Sequence, residues 1–308
     1  MLAGYFPSGP YGTLDASSGF DTNERHNHFT GVSINMSPTI SGLKVGIIGA
    51  GKMSGALVKG WVSQGVVPAS QVMASVPERD APLLAPLKEL GVLGTHDNMD
   101  TVRFADVVVL GVKPGVLPVV AKDLHNKGNG QLLVSIAAGI DIPSIQSMFG
   151  QGWRFVRAMP NTAVTVGEGA TVFCLGEGAG QADSQIVQKM FSSVGLCERV
   201  QEQQIDAVTG VSGSGPAYMY MILEAMADEG VRQGLDRRTS YNLAAQTMVG
   251  AGRMVLDTGI HPGVLKDEVT SPGGTTIAAL RALELGGLRG TMMSAVSAAS
   301  ERCREMSL

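Results

Sequence analysis

The stretch "VGIIGAGKMSGA" (residues 45–56) places its glycines where a nucleotide cofactor needs them. Gly49 permits a tight turn directly after an apolar, strand-like run. Gly51 has no side chain, so a pyrophosphate can approach the N-terminus of the following helix, where free amides and the helix dipole favour an anion. Ser54 holds the third glycine position of this fingerprint, with Gly55 after it; the position serves helix–strand packing, so a small residue suffices. Glycines alone also suit an ordinary turn. Strand, glycines and helix in that order, at the head of a βαβ series, point to a cofactor.

Other strand ends carry matching features. "QVMAS" ends in Ser75, where an acid would hold a ribose diol, and Arg79 lies just beyond, able to meet a phosphate. The missing acid favours NADPH, with NADH as the alternative; Arg79 can equally be a solvated surface charge. "GVKPG" (Gly111–Gly115) and "SIAAG" (Ser135–Gly139) bring small residues to two further strand ends, where the chain can run beside a flat ring and ribose. Ordinary strand-to-helix turns explain them as well, and Lys113 is either a ribose contact or a solvated charge.

A second chemistry-bearing segment is "SPGGTT" (Ser271–Thr276). Backbone amides of Gly273, Gly274, Thr275 and Thr276 at a helix start, together with two hydroxyls, can grip a small carboxylate. The competing reading is a capping turn with Thr275 or Thr276 as N-cap. A cap needs one hydroxyl and no second glycine. "SGSGPAY" (Ser212–Tyr218) also opens a helix, either lining a site or supplying glycines for close packing. Gly210 to Ser214 looks like a hydrolase nucleophile elbow but lacks the final glycine and any preceding strand.

These segments need a scaffold. "LKVGIIG", "QVMAS", "ADVVVLGV", "QLLVSIA" and "RFVRAMP" read as strands rich in Val and Ile, and "GATVFCLG" adds another. The intervening segments are mostly long enough for crossover helices, so a parallel sheet with helices on both faces follows. After about residue 203 the strand signals stop. "SGPAYMYMILEAMADEGVRQGL", "RRTSYNLAAQTMVGAGRMVLDTG", "TTIAALRALELGG" and "LRGTMMSAVSAASERCREM" read as helices. The expected fold is α/β: a Rossmann-like, doubly wound, mostly parallel sheet over residues 43–202, then an all-helical region over 203–308. Met219, Met221, Met226, Met248, Met254, Met292 and Met293 give the helical region more apolar surface than a small bundle needs, which suggests subunit contact; core filling by methionine is the alternative.

Composition removes several function classes. The net charge of −4 argues against nucleic acid, since phosphate binding needs clustered Lys and Arg. No uncharged run reaches membrane-spanning length; the most apolar helix is interrupted by Glu224 and Asp228. Cys174, Cys197 and Cys303 form no disulfide framework and no metal spacing, so they read as buried thiols in a reducing compartment. Residues 1–42 show no apolar period and read as a loosely attached tail. His26 and His28 there read as solvated residues, so no metal site is expected. Arg25 is the tail's only arginine beside Asp15, Asp21 and Glu24, which argues against a mitochondrial transit peptide and for a cytoplasmic protein. Met36 can serve as an alternative start.

Taken in order, "GIIGAGKM", "GVKP", "AAG", "RAMPNTA", "GEGATVF", "DAVTGVSGSGPAY" and "SPGGTT" resemble the pyrroline-5-carboxylate reductase family. The resemblance runs from about Leu43 to Met306. It implies NAD(P)H-dependent reduction of 1-pyrroline-5-carboxylate to L-proline, the last step of proline synthesis. It further implies a homodimer formed through the C-terminal helices, assembled into a decamer, a pentamer of dimers. Carried over by position, the cofactor loops are Gly49, Ala50, Gly51, Lys52 and Met53; Ser75 with Val76 and Pro77; Asn98; Gly111, Val112, Lys113 and Pro114; and Ala137, Ala138 and Gly139. The substrate loop is Ser271–Thr276, with Ser271 and Thr276 expected as catalytic residues and the Thr276 hydroxyl expected to donate a further hydrogen bond to the carboxylate. Some relatives carry a glutamate before "HP", where this chain has Gly259. A cyclic imine can take its proton from water, so no strong side-chain acid is required, and His261 is the only histidine in the helical region. Two rivals remain at this stage: a β-hydroxy acid reductase, which needs a lysine that "AYMYMILEAMADEG" lacks, and a non-enzymatic NADP-binding sensor.

Overall fold

The computed structural model describes residues 42–306; the expectations for the tail, His26, His28 and Met36 lie outside the described residues. In chain order the elements are β1 (Val45–Ile48), α1 (Lys52–Ser63), β2 (Val72–Ser75), α2 (Ala85–Glu89), β3 (Leu93–Thr95), α3 (Asn98–Phe104), β4 (Val107–Leu110), α4 (Leu117–Leu124), β5 (Gln131–Ser135), α5 (Ile142–Phe149), β6 (Trp153–Met159), β7 (Gly169–Leu175), α6 (Gln181–Ser192), β8 (Gly195–Arg199), α7 (Ile205–Val208), α8 (Gly215–Arg232), α9 (Arg237–Thr258), α10 (Pro262–Glu268), α11 (Thr275–Leu285) and α12 (Leu288–Met306).

The strands form one sheet in the order β3-β2-β1-β4-β5-β6-β7-β8. Strands β1 to β6 pair in parallel, β7 runs antiparallel to β6, and β8 returns parallel to β7. The reversal at β7 is what makes the sheet mostly rather than wholly parallel. The link from Met159 to Gly169 holds only a short 3₁₀ turn, Thr162–Val166, closed by Gly167 in the left-handed region at φ 77°. Such a link is too short for a crossover helix, so the next strand must come back antiparallel. The two strands that sequence patterning did not single out, β3 and β8, are the sheet's edges. Edge strands need no apolar run: β3 is three residues with Gly94 at its centre, and β8 ends in exposed Glu198 and Arg199.

Alternating side chains sort onto the two faces. Val45, Ile47, Val107, Val109, Leu132, Val134, Val156 and Ala158 pack with Leu57, Val58 and Trp61 of α1 and with Val187, Met190 and Phe191 of α6. Ile48, Val108, Leu110, Leu133 and Phe155 pack with Val102 of α3, Leu117, Val120 and Leu124 of α4, and Ile145 and Phe149 of α5. The period of two is what a strand covered on both sides requires. Gly46 allows a close approach: a Cβ there would stand 2.6 Å from Thr101 Cγ2 and 2.9 Å from Ala105 Cβ, so α3 sits directly on β1.

Beyond Ile205 the packing changes. Residues Thr209–Gly213 form a π-helical turn before α8, and α8 packs along α9. Thr209 bonds back to the carbonyl of Ile205, and the Tyr218 hydroxyl donates to the carbonyl of Gly210 at 3.2 Å. A Cβ on Gly210 would stand 2.6 Å from the Val296 carbonyl oxygen, so this glycine lets α12 cross the turn. The glycine of "TGVSGSG" nearest α12 thus serves packing. Among the described residues no helix is long and apolar enough to cross a membrane.

Candidate active site

The expected cofactor loops converge on one edge. Strands β1, β2, β4 and β5 are parallel, so their carboxyl ends lie side by side, and the strand order reverses between β1 and β4. Ligands of open α/β sheets bind in the crevice at such a switch point. Gly49 leaves β1 with φ 93°, and its amide donates to the carbonyl of Ser75 at 2.9 Å, which ties the first loop to the end of β2. A Cβ on Gly49 would stand 2.6 Å from Val112 Cγ1 and 3.0 Å from the Gly111 carbonyl, so the two loops touch. Gly51 is the N-cap of α1 with no side-chain cap, and a Cβ there would meet nothing within 4 Å. The first amides of α1 therefore face open space, a fit for a pyrophosphate. Ser54 is buried and its hydroxyl donates to the Gly111 carbonyl at 3.4 Å, so the small residue at the third glycine position draws α1 onto the end of β4.

Ser75 is fully buried, and its hydroxyl donates to Oδ1 of Asn98 at 2.7 Å. That bond turns the Asn98 amide nitrogen away from the serine, while Asp97 caps α3 by accepting from Met99 N at 2.8 Å. Ser75 rather than an acid ends β2, which suits a 2′-phosphate better than a bare diol. Arg79 is exposed, with its Nε 3.8 Å from Asp80. At the other side of the crevice, Lys113 caps the 3₁₀ turn Pro114–Val116, and the Ala137 amide donates to the Ser135 hydroxyl at 3.4 Å. Gly139 turns at φ 73° against α12, where a Cβ would stand 2.8 Å from Met306 Cβ.

The second segment takes a form that excludes the competing reading of a threonine cap. Gly274, not a threonine, is the N-cap of α11; Thr275 and Thr276 are its first two helical residues, and no side chain caps the end. Gly273 stands at φ 65°, and the Gly274 amide donates to the Ser271 carbonyl at 3.1 Å. Ser271 Oγ folds so close to Gly274 that any Cβ there would collide with it. The turn thus brings the Ser271 hydroxyl to the uncapped amides of α11 and leaves both threonine hydroxyls free of a capping role. His261 caps α10 instead, Nδ1 accepting from the Gly263 amide at 3.0 Å.

All three cysteines are buried. Burial, then Glu202 for Cys174 and Glu198 for Cys197, pushes the Cys174 thiol up to about 11 and the Cys197 thiol up to about 12, which leaves both thiols protonated at neutral pH. Among the described residues no cluster of His, Cys, Asp or Glu could hold a metal ion.

Comparison with known proteins agrees with this geometry. The profile "Pyrroline-5-carboxylate reductase dimerisation" matches residues 202–306, and "NADP oxidoreductase coenzyme F420-dependent" matches residues 44–139. Pyrroline-5-carboxylate reductase 2 of Bos taurus is 45% identical over 268 residues, covering 86% of this chain and 84% of that protein. The chain belongs to the pyrroline-5-carboxylate reductase family. The Arabidopsis thaliana reductase is 46% identical over 86% of this chain and 95% of its own. The Plasmodium falciparum reductase, solved with NADP bound, superposes with a TM-score of 0.80 at 31% identity, covering 87% of this chain and all of that one.

In this member of the reductase family, a group of polar side chains that sequence patterning passed over joins the sheet to the helices. Asn161, after β6, donates from Nδ2 to the Ser212 carbonyl at 3.1 Å, while its Oδ1 accepts from the amides of Ala163 and Ala170. Arg157 is buried in β6 and pairs with Asp206 at 3.1 Å and Glu202 at 3.6 Å. The available signal was an arginine inside an otherwise apolar strand, "RFVRAMP", followed much later by acids flanking "QQI".

Proposed function

We propose that the protein reduces the C=N bond of 1-pyrroline-5-carboxylate to give L-proline, with NADPH as the preferred reductant and NADH as the alternative. The observation that carries this reading is the convergence of four expected loops on the carboxyl edge of one parallel sheet in a chain of this family. When bound, the cofactor supplies the hydride; the chain's own residues bind and orient. The amides at the start of α1, opened by Gly51, hold the pyrophosphate. Ser75, Asn98 and Arg79 receive the 2′-phosphate side, and Gly111–Pro114 and Ala137–Gly139 flank the ribose and the ring. The amides of Gly273 to Thr276 hold the substrate carboxylate, the Thr276 hydroxyl donates to it as well, and the Ser271 hydroxyl stands beside the heterocycle. Oriented binding supplies most of the rate, and no side chain is assigned as the acid.

In this reading residues 43–202 bind the nucleotide, and residues 203–308 bind the imine and assemble the protein. Five homodimers form a decamer, and the reaction takes place in the cytoplasm. Nucleotide consumption measured with pyrroline-5-carboxylate, with succinic semialdehyde and with neither separates the readings. Turnover of the imine alone is the expected result. Turnover of the semialdehyde would indicate a β-hydroxy acid reductase, and binding without turnover would indicate a sensor.

A further inference from the structure

The turn that carries Ala137, Ala138 and Gly139 is held from behind by a closed ring of contacts. Three residues past it, the Ile142 amide donates to Glu202 Oε1 at 2.6 Å. Ile142 is the first residue of α5, and its amide is one of the orphan donors of that helix; the helix's own cap, Asp141, is occupied with Ser144 N at 2.9 Å. Glu202 is fixed in turn by buried Arg157, which also binds Asp206. Asp206 accepts from the Cys303 thiol at 3.4 Å, and Cys303 and Met306 of α12 are the residues against which Gly139 turns. The ring therefore starts and ends at the same short loop, and Arg157, which pairs with two carboxylates, lies at the junction between sheet and helices.

We propose that Glu202 is a positioning residue: held by Arg157, it fixes the start of α5 and so sets the 137–139 turn against the nicotinamide half of the cofactor. This rests on the functional reading above, which places that turn beside the ring. A carboxylate at a helix N-terminus is favourable in any case through the free amides and the dipole. A role confined to capping α5 would affect stability alone, whereas positioning affects one half of the ligand. Glu202 also borders a cleft of about 450 Å³ with Cys174, Arg199 and Gln204, so water can replace its carboxylate in a truncated variant and the chain can still fold.

The experiment compares NADPH with 2′,5′-ADP, which has the adenosine phosphates and lacks the nicotinamide, by titration calorimetry on the full chain. Glu202→Ala is expected to weaken NADPH several-fold while 2′,5′-ADP stays within about twofold, as expected for distant, independent contacts. The turnover number should drop on the order of tenfold or more, as expected for a misplaced reacting group. Glu202→Gln keeps an oxygen for the Ile142 amide and should recover most of the NADPH affinity. Equal losses for both ligands, or a lowered melting temperature with both affinities intact, would overturn the proposal. A wild-type chain that bound NADPH and left pyrroline-5-carboxylate unreduced would sink the functional reading yet leave this ligand comparison valid.

Discussion

The two regions of this molecule bury their apolar residues in opposite ways. Among the described residues the three hydrophobic clusters are built from buried residues within 45–205, and Trp61, Phe149, Phe173 and Phe191 are wholly enclosed there. From 215 to 306 the buried apolar residues are Ala227, Ala244 and Cys303, while Tyr220, Met221, Val249, Leu285 and Met293 lie mostly exposed. A five-helix region cannot hold itself together on three small side chains, because the ordering entropy of its backbone is not offset by burial. The sheet region completes its core within one chain, and the helical region leaves its core to a second copy. Contiguous exposed apolar surface marks such an interface, and the dimerisation profile falls on these residues. Of the seven methionines read as subunit contacts, Met221, Met226, Met254 and Met293 are exposed, and the other three are half-buried.

The largest effect should come from breaking that dependence. Met221→Asp combined with Met293→Asp would bury two unpaired charges in the assembled protein, at several kcal/mol or more. Sedimentation should show the assembly lost, and far-ultraviolet dichroism should show helix lost with it, since no folded monomer is expected to persist at micromolar concentration. A compact monomer that kept its activity would show that the helices need no partner.

Next in size are two glycines two residues apart, which the structure separates cleanly. Gly51→Ala adds a methyl where the chain has nothing within 4 Å, so stability should change by about 1 kcal/mol or less. The methyl stands between the pyrophosphate and the α1 amides, and losing two charge-assisted hydrogen bonds weakens NADPH on the order of a hundredfold or more. Gly49→Ala works the other way. Its φ of 93° and the Val112 contact put the cost into folding, about 1–3 kcal/mol, before any ligand is added. Paired melting and binding curves on the two variants check both halves. Equal behaviour would mean the loop is an ordinary turn.

How much of this was legible in the sequence follows from which forces set each feature. The inner strands carry short apolar runs, from VVVL in β4 to RFVRAM in β6, so β1, β2, β4, β5, β6 and β7 could be read directly. The edge strands β3 and β8 are short and polar, and nothing local distinguishes them from loops. The direction of β7 depended on a connection too short for a helix, a constraint of geometry rather than of composition. The family and the doubly wound plan were readable because the glycine positions answer to backbone needs that only glycine meets. The Arg157, Glu202, Asp206 and Asn161 contacts were not, since Arg157 pairs with acids 45 and 49 positions away, the Ile142 amide meets Glu202 60 positions away, and Asn161 and Ser212 are 51 apart. The threonine cap failed for a local reason: Gly274 takes the extended N-cap conformation itself and leaves the hydroxyls one and two residues into the helix.

This geometry sharpens the third prediction. With Gly274 as the N-cap, Thr276→Ala removes no cap and should hardly move the melting temperature. Losing a hydrogen bond to a charged carboxylate costs about 1.5–3 kcal/mol, so KM for pyrroline-5-carboxylate should rise roughly ten- to a hundredfold. NADPH affinity, set at the sheet edge, should stay nearly constant. Steady-state kinetics and a melting curve on one preparation decide the matter. A lowered melting temperature with an unchanged KM would return the threonine to a structural role.

The smallest effect belongs to Arg79, and its exposure is the reason. A charge-assisted bond to a 2′-phosphate is worth about 1.5–3 kcal/mol when sheltered, but this guanidinium is 83% exposed and already has Asp80 at 3.8 Å. Exposed ion pairs contribute about 0.2–1 kcal/mol and weaken further with salt. Arg79→Ala should therefore lower NADPH affinity only a few-fold and leave NADH unchanged. The pair of buried Ser75 and half-buried Asn98 should keep most of the discrimination, because its hydrogen bond is fixed before the ligand arrives. Binding of both nucleotides at low and high salt tests this division: the wild-type advantage over Arg79→Ala should shrink as salt rises. A salt-independent loss that was equal for NADPH and NADH would remove Arg79 from the phosphate site.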